Sequence, residues 1–301
     1  MSNLSNPFVS VIIPVYNDPE HLKICLNALE NQTYPKSCYE VIVVDNGSDE
    51  SIEGIVNQFG QAVATYESRI GSYAARNKGI SLAKGDIIAF TDADCIPASD
   101  WIEKGVANLL SVPNCGLVAG KVELFFKNEK QPNAVELFES IGWWASQKES
   151  LEHHRYGATA NLFTFKSVLD VAGCFDDTLK SHGDIEWGQR IFALGYKQIY
   201  ADDTSVSHPC RTSLAKFSKK VVRLLGGELD RKKKKGYSSK EFLIDLANDL
   251  KPPLRVYFCT FKDERLKGIQ KIKYLLIYVY IKYLQAGERI RLQIKGSSRR
   301  G

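Results

Sequence analysis

The stretch Gly85–Trp101, GDIIAFTDADCIPASDW, decides the fold and places the first candidate chemistry. Its apolar part, Asp86–Thr91, is short, rich in branched residues and preceded by glycine, so it predicts a strand of a covered sheet. Asp92 and Asp94 follow at the C-terminal end of this strand, where open α/β sheets bind ligands. Two carboxylates this close repel each other unless a divalent metal or a basic side chain lies between them.

The segments around this stretch alternate between strands and amphipathic helices. Val9–Val15 and Glu40–Val44 have the apolar runs of buried strands, and Asp18 is expected to cap a helix that begins at Pro19. Further helices are predicted near Ile52–Phe59, at Tyr73–Ala83, after Ser99 or Asp100, at Phe138–Leu151 and at Ser167–Ala172, and further strands at Cys115–Gly120 and Ala160–Phe165. This order indicates an α/β fold, a mostly parallel sheet flanked by helices.

The composition is that of an ordinary soluble globular protein. The 301 residues are 44% hydrophobic and 25% charged. The N-terminal segment lacks the basic and apolar regions of a signal peptide, and no apolar run approaches the ~20 residues of a membrane span. The seven cysteines are scattered without CxxC spacing, which favours reduced thiols over a disulfide framework or a zinc site. We therefore expect a cytoplasmic protein.

The charge is distributed unevenly along the chain. Residues 211–301 contain 24 Lys and Arg against 8 Asp and Glu, a net charge of +16, whereas residues 1–210 have a net charge of −11. This asymmetry predicts two parts with different roles, an acidic domain at 1–212 and a helical basic extension at 213–301.

The basic extension has three interpretations. Its charges could cover solvated helix faces, attach the protein to an anionic membrane surface on the cytoplasmic side, or bind nucleic acid. Nucleic-acid binding is disfavoured, because no recognised motif accompanies the charge and the acidic front part would repel phosphates. Tyr274–Ile281 could instead pack against the domain at 1–212 or against a second copy of the chain in a homo-oligomer.

Three polar segments follow predicted strands at one edge of the sheet. PVYN follows the first strand, VDNGSDES the second, and TDAD the strand at Asp86–Thr91. Polar groups gathered at the C-terminal edge of a parallel sheet are typical of a nucleotide cleft. The G-x-G-x-x-G fingerprint is absent after the first strand and the P-loop motif is absent too, which argues against a dehydrogenase or an ATPase.

Four segments together resemble a family 2 glycosyltransferase with the GT-A fold. They are VSVIIPVYN, EVIVVDNGSDES, GSYAARNKGISLAKGDIIAFTDAD and GDIEWGQR, and the similarity extends from about Phe8 to His208. The resemblance implies transfer of a sugar from a nucleotide-sugar donor, with a UDP-sugar favoured, to a glycan or lipid-linked acceptor. The product would be a cell-surface or extracellular polysaccharide. The alternative is a non-catalytic nucleotide-sugar or glycan-binding protein with the same fold.

The resemblance also implies which residues bind the donor. The nucleotide would contact Pro14, Tyr16, Asn17, Asp45, Gly71, Arg76, Asn77 and Asp92. Asp94 would coordinate Mn²⁺ or Mg²⁺ at the diphosphate, and His208 would complete the metal site. Two alternatives stay open here: His208 could be an ordinary loop residue, and Asp45 could simply form a turn.

The catalytic base implied by the resemblance is Asp184. The attacking hydroxyl is a poor nucleophile, so a carboxylate must take its proton, and a single base gives inversion at the anomeric carbon. Many family members have Glu-Asp here, whereas this chain has Gly183-Asp184, and Glu186 is the rival base. The acceptor side would include Trp143, Trp144, Asn161 and Glu186, although plain packing explains the tryptophans equally well.

Overall fold

The computed structural model describes residues 6–143 and 146–295, apart from the side chains of Trp143 and Lys295. The chain forms two compact units, composed of Met1–Leu124, Ala145–Thr178 and Gly183–His208, and of Phe125–Trp144, Leu179–His182 and Pro209–Gly301. The second unit thus combines the basic extension with two short segments from earlier in the chain. The domain division at residue 212 stays a prediction.

One eight-stranded sheet runs through the first unit, in the spatial order β3-β2-β1-β4-β7-β6-β8-β5. The strands of the described residues are β1 (Val9–Val15), β2 (Tyr39–Asp45), β3 (Ala62–Tyr66), β4 (Ile87–Thr91), β5 (Ile96–Pro97), β6 (Cys115–Phe125), β7 (Asn161–Phe165) and β8 (Lys197–Pro209). β3, β2, β1 and β4 run parallel, whereas β7 is antiparallel to β4 and β6, and β5 to β8. The predicted α/β class is confirmed.

Helices cover both faces of the parallel strands, which is why β1 and β4 are predominantly apolar instead of alternating. On one face Val11 and Ile13 pack in a core with Trp101, and on the other Ile12 lies in a core with Trp187. All these side chains are fully buried. The two cores hold the strands rigidly and so fix the positions of the loops that follow them.

Twelve α-helices occur in the part of the chain that the structure describes. They are α1 (Pro19–Glu30), α2 (Glu53–Val56), α3 (Ser72–Leu82), α4 (Trp101–Ser111), α5 (Ala134–Phe138), α6 (Gln147–His154), α7 (Lys166–Ala172), α8 (Gly183–Ala193), α9 (Leu214–Lys234), α10 (Ser239–Leu250), α11 (Leu254–Lys262) and α12 (Ile269–Lys295). Asp18 precedes α1 as predicted, but its carboxylate bonds His21 Nδ1 at 2.6 Å and caps no backbone amide.

The helix predicted over Phe138–Leu151 is wrong as a single element. Asn133 caps α5 through a capping box with Glu136, and the chain continues as a π-helix at Glu139–Trp143. A second capping box, between Ser146 and Glu149, begins α6. Each box satisfies backbone amides that a helix start leaves unpaired, so the sequence itself specifies two starts.

The second unit is helical and has its own core. Phe138, Phe217, Tyr274 and Ile281 form its centre, where α5, α9 and α12 pack together. Aromatic rings meet there edge to face or tilted, with Phe138 5.5 Å from Phe217 and 5.0 Å from Tyr274 between ring centroids. Among residues 6–143 and 146–295, no helix combines the length and the apolar character that a membrane span needs.

Candidate active site

The predicted polar edge is present in the structure. β2, β1 and β4 are parallel neighbours, so the segments that follow Asp45, Val15 and Thr91 leave the sheet at the same edge. Asn46 N donates a hydrogen bond to Val15 O at 2.9 Å, which joins the first two segments directly. The sheet therefore gathers three of the four sequence motifs in one place.

Asn17 fastens the loop after β1 to the loop after β2. Its backbone amide donates to Ser48 Oγ at 2.9 Å, and its side-chain amide donates to Asp49 Oδ2 at 2.9 Å while accepting from Asp49 N at 2.8 Å. Asn17 has φ 52°, a left-handed conformation that asparagine tolerates better than most residues. The neighbouring Tyr16 is exposed, and Pro14 is half-buried.

Asp45 and Asn46 organise the second loop. Asp45 Oδ1 accepts from Ser48 N at 2.9 Å, which is the turn that the sequence allowed. The buried Asn46 donates to the carbonyls of Glu67 and Arg69 at 3.0 and 2.8 Å and accepts from Gly71 N at 2.8 Å. Gly71 has φ 142°, which glycine adopts readily, and it leads into α3. Asn46 therefore positions the segment that sequence analysis assigned to the donor.

Arg76 supplies the positive charge expected beside the acidic pair. Its guanidinium donates from Nη2 to Asp92 Oδ1, and the arginine is only 3% exposed. Its Nε is buried without a hydrogen-bond partner among the described residues. The side-chain amide of Asn77 donates to Phe175 O at 2.8 Å and accepts from Phe175 N at 3.1 Å. The positive charge of Arg76 thus compensates the negative charge of Asp92, and Asn77 holds the chain at Phe175 in place.

Asp94 lies next to His208, as the resemblance implied. Asp94 Oδ2 is 3.4 Å from His208 Nε2, with the histidine buried and the carboxylate partly exposed. A carboxylate oxygen and an imidazole nitrogen are suitable ligands for Mn²⁺, and the carboxylate for Mg²⁺. The described residues contain no group of three or more His, Cys, Asp or Glu side chains that could hold a metal. Asp94 and His208 therefore fit a metal that takes its other ligands from phosphate and water.

Two buried cysteines lie behind the acidic pair. Cys25 Sγ is 3.8 Å from Asp92 O, and Cys95 N donates to the same carbonyl at 3.0 Å. Burial raises the pKa of both thiols well above the usual range, and the charges of Asp92 and Asp94 raise these pKa values further. Both cysteines are consequently neutral thiols at physiological pH.

Asp184 begins α8 and is held by two donors on one oxygen. Tyr73 Oη donates to Asp184 Oδ1 at 3.1 Å, and Ile185 N donates to the same oxygen at 3.0 Å. The unusual glycine before it has a steric cause. A Cβ at Gly183 would lie 2.7–2.9 Å from the Tyr73 ring, so no side chain fits there while the ring keeps its place.

Glu186, the rival base, is engaged by Arg190. Arg190 donates to both carboxylate oxygens, from Nε at 3.1 Å and from Nη2 at 2.7 Å. The same guanidinium donates to the carbonyls of Ala172 and Cys174, so it ties α8 to the chain after α7. This bidentate pair gives Glu186 a cationic partner, whereas the donors that Asp184 has among the described residues are neutral.

Of the predicted acceptor residues, Asn161 is corrected by the structure. Its side chain is 0% exposed, donates to the carbonyls of Lys121 and Thr204 at 2.8 and 2.9 Å, and accepts from Trp101 Nε1 at 2.9 Å. A side chain enclosed in this way has no surface to offer an acceptor. The side chain of Trp143 and all of Trp144 lie outside the described residues.

Two functional candidates were missed at the sequence level. Asn46 was not singled out, although an asparagine directly after a predicted strand is a candidate for anchoring a loop. Tyr73 was treated only as the start of a helix, and nothing local signals its contact with Asp184, 111 positions later.

Comparisons with known proteins agree with this architecture. The family model described as "Glycosyl transferase family 2" matches residues 10–175. Glycosyltransferase AglE of Haloferax volcanii is 42% identical over 228 residues, which cover 74% of this chain and 73% of that protein. A Methanococcus voltae dolichyl N-acetyl-alpha-D-glucosaminyl phosphate 3-beta-D-2,3-diacetamido-2,3-dideoxy-beta-D-glucuronosyltransferase is 24% identical over 232 residues, which cover 71% of each.

A solved structure shows the same fold. The mannosyltransferase PcManGT of Pyrobaculum calidifontis, solved with GDP-Man and Mn²⁺, aligns with a TM-score of 0.57 at 19% identity. The alignment covers 98% of this chain and 77% of that one. The family match agrees with the four motifs and with the sheet edge that brings three of them together. The fold is therefore GT-A, and the protein is an enzyme. The chain belongs to glycosyl transferase family 2.

Proposed function

We propose that this enzyme transfers a sugar from a nucleoside-diphosphate donor, by preference a UDP-sugar, to a hydroxyl of a glycan or lipid-linked acceptor with inversion. One chain of contacts supports the proposal. Asp92 accepts from Arg76, the Arg76 guanidinium carbon lies 5.6 Å from the centroid of the Tyr73 ring, and Tyr73 donates to Asp184. The side chain assigned to the ribose is thereby linked to the carboxylate assigned to the acceptor.

The donor nucleotide would lie along the edge formed by the loops after β1, β2 and β4. Tyr16 offers its exposed ring to the base, and Asp45 offers its second carboxylate oxygen to the base or ribose. Asp92, held by Arg76, would accept from a ribose hydroxyl. The connections from Asn17 to Asp49 and from Asn46 to Gly71 hold these loops in place before the donor arrives.

Asp94 and His208 would hold Mn²⁺ or Mg²⁺ at the diphosphate. A divalent cation at this position supplies charge neutralisation for the departing nucleoside diphosphate. Arg76 does not serve this purpose, because its guanidinium is already paired with Asp92. The PcManGT structure, which has the same fold, was solved with Mn²⁺, and this supports a divalent metal cofactor.

Asp184 would act as the general base. Its carboxylate is partly exposed at the start of α8, and the other carboxylate of that turn, Glu186, is occupied by Arg190. A single base that deprotonates the attacking hydroxyl while the nucleotide leaves from the opposite side inverts the anomeric carbon. This arrangement requires no second carboxylate as a nucleophile.

The second unit would bring the enzyme to a lipid-linked acceptor at the cytoplasmic face of a membrane. Leu254, Phe258 and Phe261 are spaced i, i+4, i+7 on α11 and are all exposed. Arg255 and Lys262 lie on the same helix and are also exposed. Apolar and basic side chains combined on one surface helix favour an anionic bilayer surface. The dolichyl-linked substrate named for the Methanococcus voltae relative agrees with this kind of acceptor.

The test of the proposal compares two conservative variants in an assay of nucleoside diphosphate release from a panel of UDP- and GDP-sugars. Asp184→Asn should lower kcat by about 10²–10⁴-fold with little change in donor KM, the usual contribution of a general base. Glu186→Gln should retain most of the activity. Turnover that survives Asp184→Asn but not Glu186→Gln would make Glu186 the base, and nucleotide binding without any turnover would favour a non-catalytic binding protein.

A further inference from the structure

Tyr73 is a buried tyrosine whose hydroxyl points at the proposed base. The residue is 6% exposed, and its Oη donates to Asp184 Oδ1 at 3.1 Å. The amide of Ile185 donates to the same oxygen, whereas Oδ2 has no protein donor among the described residues. The two oxygens of Asp184 are therefore different: Oδ1 is held, and Oδ2 is available.

The Tyr73 ring is fixed on three sides. It lies 5.5 Å from the Phe175 ring between centroids, under the Arg76 guanidinium at 5.6 Å, and against the backbone of Gly183. A Cβ on residue 183 would come within 2.7 Å of the ring atom Cε2, closer than such atoms approach. Glycine at this position is therefore the condition that lets the ring reach Asp184.

We propose that Tyr73 is a positioning residue for Asp184, an inference that depends on the proposed role of Asp184 as the base. By binding Oδ1, the hydroxyl fixes the rotamer of Asp184 and presents Oδ2 to the acceptor. The acceptor oxygen forms its bond to the anomeric carbon, its proton moves to Oδ2, and the bond to the diphosphate breaks with its electron pair on the leaving group. Holding a reacting group in the productive geometry accelerates a reaction without any contact to the substrate.

The first experiment replaces only the hydroxyl. Tyr73→Phe keeps the ring between Phe175 and Gly183, and we expect kcat to fall about tenfold with donor KM and melting temperature nearly unchanged, because one hydrogen bond to a charged group is lost. Tyr39→Phe is the matched control, since Tyr39 is also buried and its Oη donates to Leu29 O at 2.8 Å. The control should keep its kcat. An unchanged kcat in Tyr73→Phe would overturn the proposal.

A double-mutant cycle separates positioning from a general structural effect. In the Asp184→Asn background, Tyr73→Phe should cause no further loss of kcat, because its effect passes through the Asp184 carboxylate. An equal tenfold loss in both backgrounds would show that Tyr73 acts elsewhere. A wild-type kcat in Asp184→Asn alone would refute the base assignment, and the positioning role with it. Gly183→Ala, which displaces the ring, should reproduce the kcat loss of Tyr73→Phe, and a full kcat would contradict the proposal.

Discussion

Asp92 and Asp94 are separated by one residue but have different surroundings. Both carboxylates are partly exposed, but Asp92 is compensated by a buried arginine, whereas Asp94 lies beside a histidine. Asp92 can thus be neutralised by the protein, and Asp94 by a ligand. We therefore propose Asp94, and not Asp92, as the metal ligand.

The metal role of Asp94 gives the first prediction. Asp94→Ala should lower turnover by at least about 10²-fold, since a metal at the leaving group contributes several kcal/mol. Mn²⁺ should no longer raise the melting temperature of the variant mixed with UDP, whereas the melting temperature without ligands should stay close to the wild-type value. Asp86→Ala is the control, because Asp86 is an exposed aspartate next to the opposite end of β4. Full wild-type activity in excess EDTA would contradict the metal requirement.

Sequence analysis found the site residues whose positions follow from their own segment of the chain. Asp45, Asp92 and Asp94 follow apolar strands, and the end of a strand predicts where they lie. The contacts of Tyr73 and Asn161 are set by other segments, since Tyr73 meets α8 and Asn161 bonds Trp101 of α4. The motif pattern therefore identified an asparagine at the start of β7 but not the direction of its side chain.

At the scale of elements, helix α4 lies unusually close to the sheet. Gly105 faces the ring of Phe163 on β7, and a Cβ there would lie 2.3 Å from the ring atom Cζ. Phe163 is fully buried and packs against Trp101 at 4.7 Å between centroids, so the ring has no room to move. The missing side chain is what allows this helix to approach its strand.

Gly105→Ala should therefore lower the free energy of unfolding by about 1–3 kcal/mol, the usual cost of overpacking a core. Gly54→Ala is the matched control, because a Cβ on Gly54 of α2 meets nothing within 4 Å. The control should change stability by less than about 1 kcal/mol. Urea denaturation gives the free energy of unfolding of both variants. Equal values for the two would contradict the close approach of α4 to the sheet.

The π-helix of the second unit contains a buried carboxylate. Glu139 accepts from Arg211 N and Nη1 and from Lys220 Nζ, each at 2.7 Å. Burial alone would raise the pKa of Glu139, but the charges of Lys220 and Arg211 bring it below its usual value. Burial and the nearby Arg211 lower the pKa of Lys220 to about 8. These contacts connect the π-helix with α9 and with the segment that precedes α9.

Glu139→Gln should lower the free energy of unfolding by about 3–5 kcal/mol, because it leaves buried cations without their counterion. Since the folded-state pKa of Glu139 is depressed, its contribution is complete above the unfolded-state pKa and is lost as the pH falls through the folded-state value. The wild type should thus lose stability in acid, and the variant should lose less. Glu264→Gln, at an exposed site, is the control, and parallel pH profiles of Glu139→Gln and wild type would contradict the prediction.

Sequence analysis missed three strands: the two-residue β5 and the longer β3 and β8. β3 is an edge strand with no fully buried residue, and β8 carries polar residues such as Asp202 and Asp203 within its 13 residues. Neither has the long apolar run or the strict alternation that predicts a strand. The covered strands β1 and β4 were predicted nearly to the residue, because burial on both faces leaves a predominantly apolar run.

At the scale of the whole molecule, the charge asymmetry leads to a prediction on membrane attachment. The full chain should sediment with vesicles containing anionic lipid but not with neutral vesicles, and added salt should weaken binding, since each Lys or Arg near such a surface contributes about 1 kcal/mol. Phe258→Ser with Phe261→Ser should reduce binding without changing turnover of a water-soluble acceptor. Phe192→Ser, which removes an exposed phenylalanine of the first unit, is the control.

Equal binding to neutral vesicles would contradict the role of charge, and unchanged binding of the Phe258 and Phe261 variant would exclude α11 as the contact. If the chain binds no vesicles and instead self-associates, the exposed face of α11 is an oligomer contact, the alternative that the sequence left open. Analytical ultracentrifugation of the same variants distinguishes these outcomes.

The thiols behind the acidic pair affect how the enzyme withstands oxidants. Peroxide and alkylating reagents attack the thiolate form, and Cys25 and Cys95 are buried with their pKa values raised by burial and by Asp92 and Asp94. The exposed Cys174 and Cys259 should therefore react first. Burial, and to a smaller extent the carboxylates assigned to the donor and its metal, thus keeps sulfenic acid from forming at Cys25 and Cys95. The proposed donor site should therefore survive conditions that modify the surface of the protein.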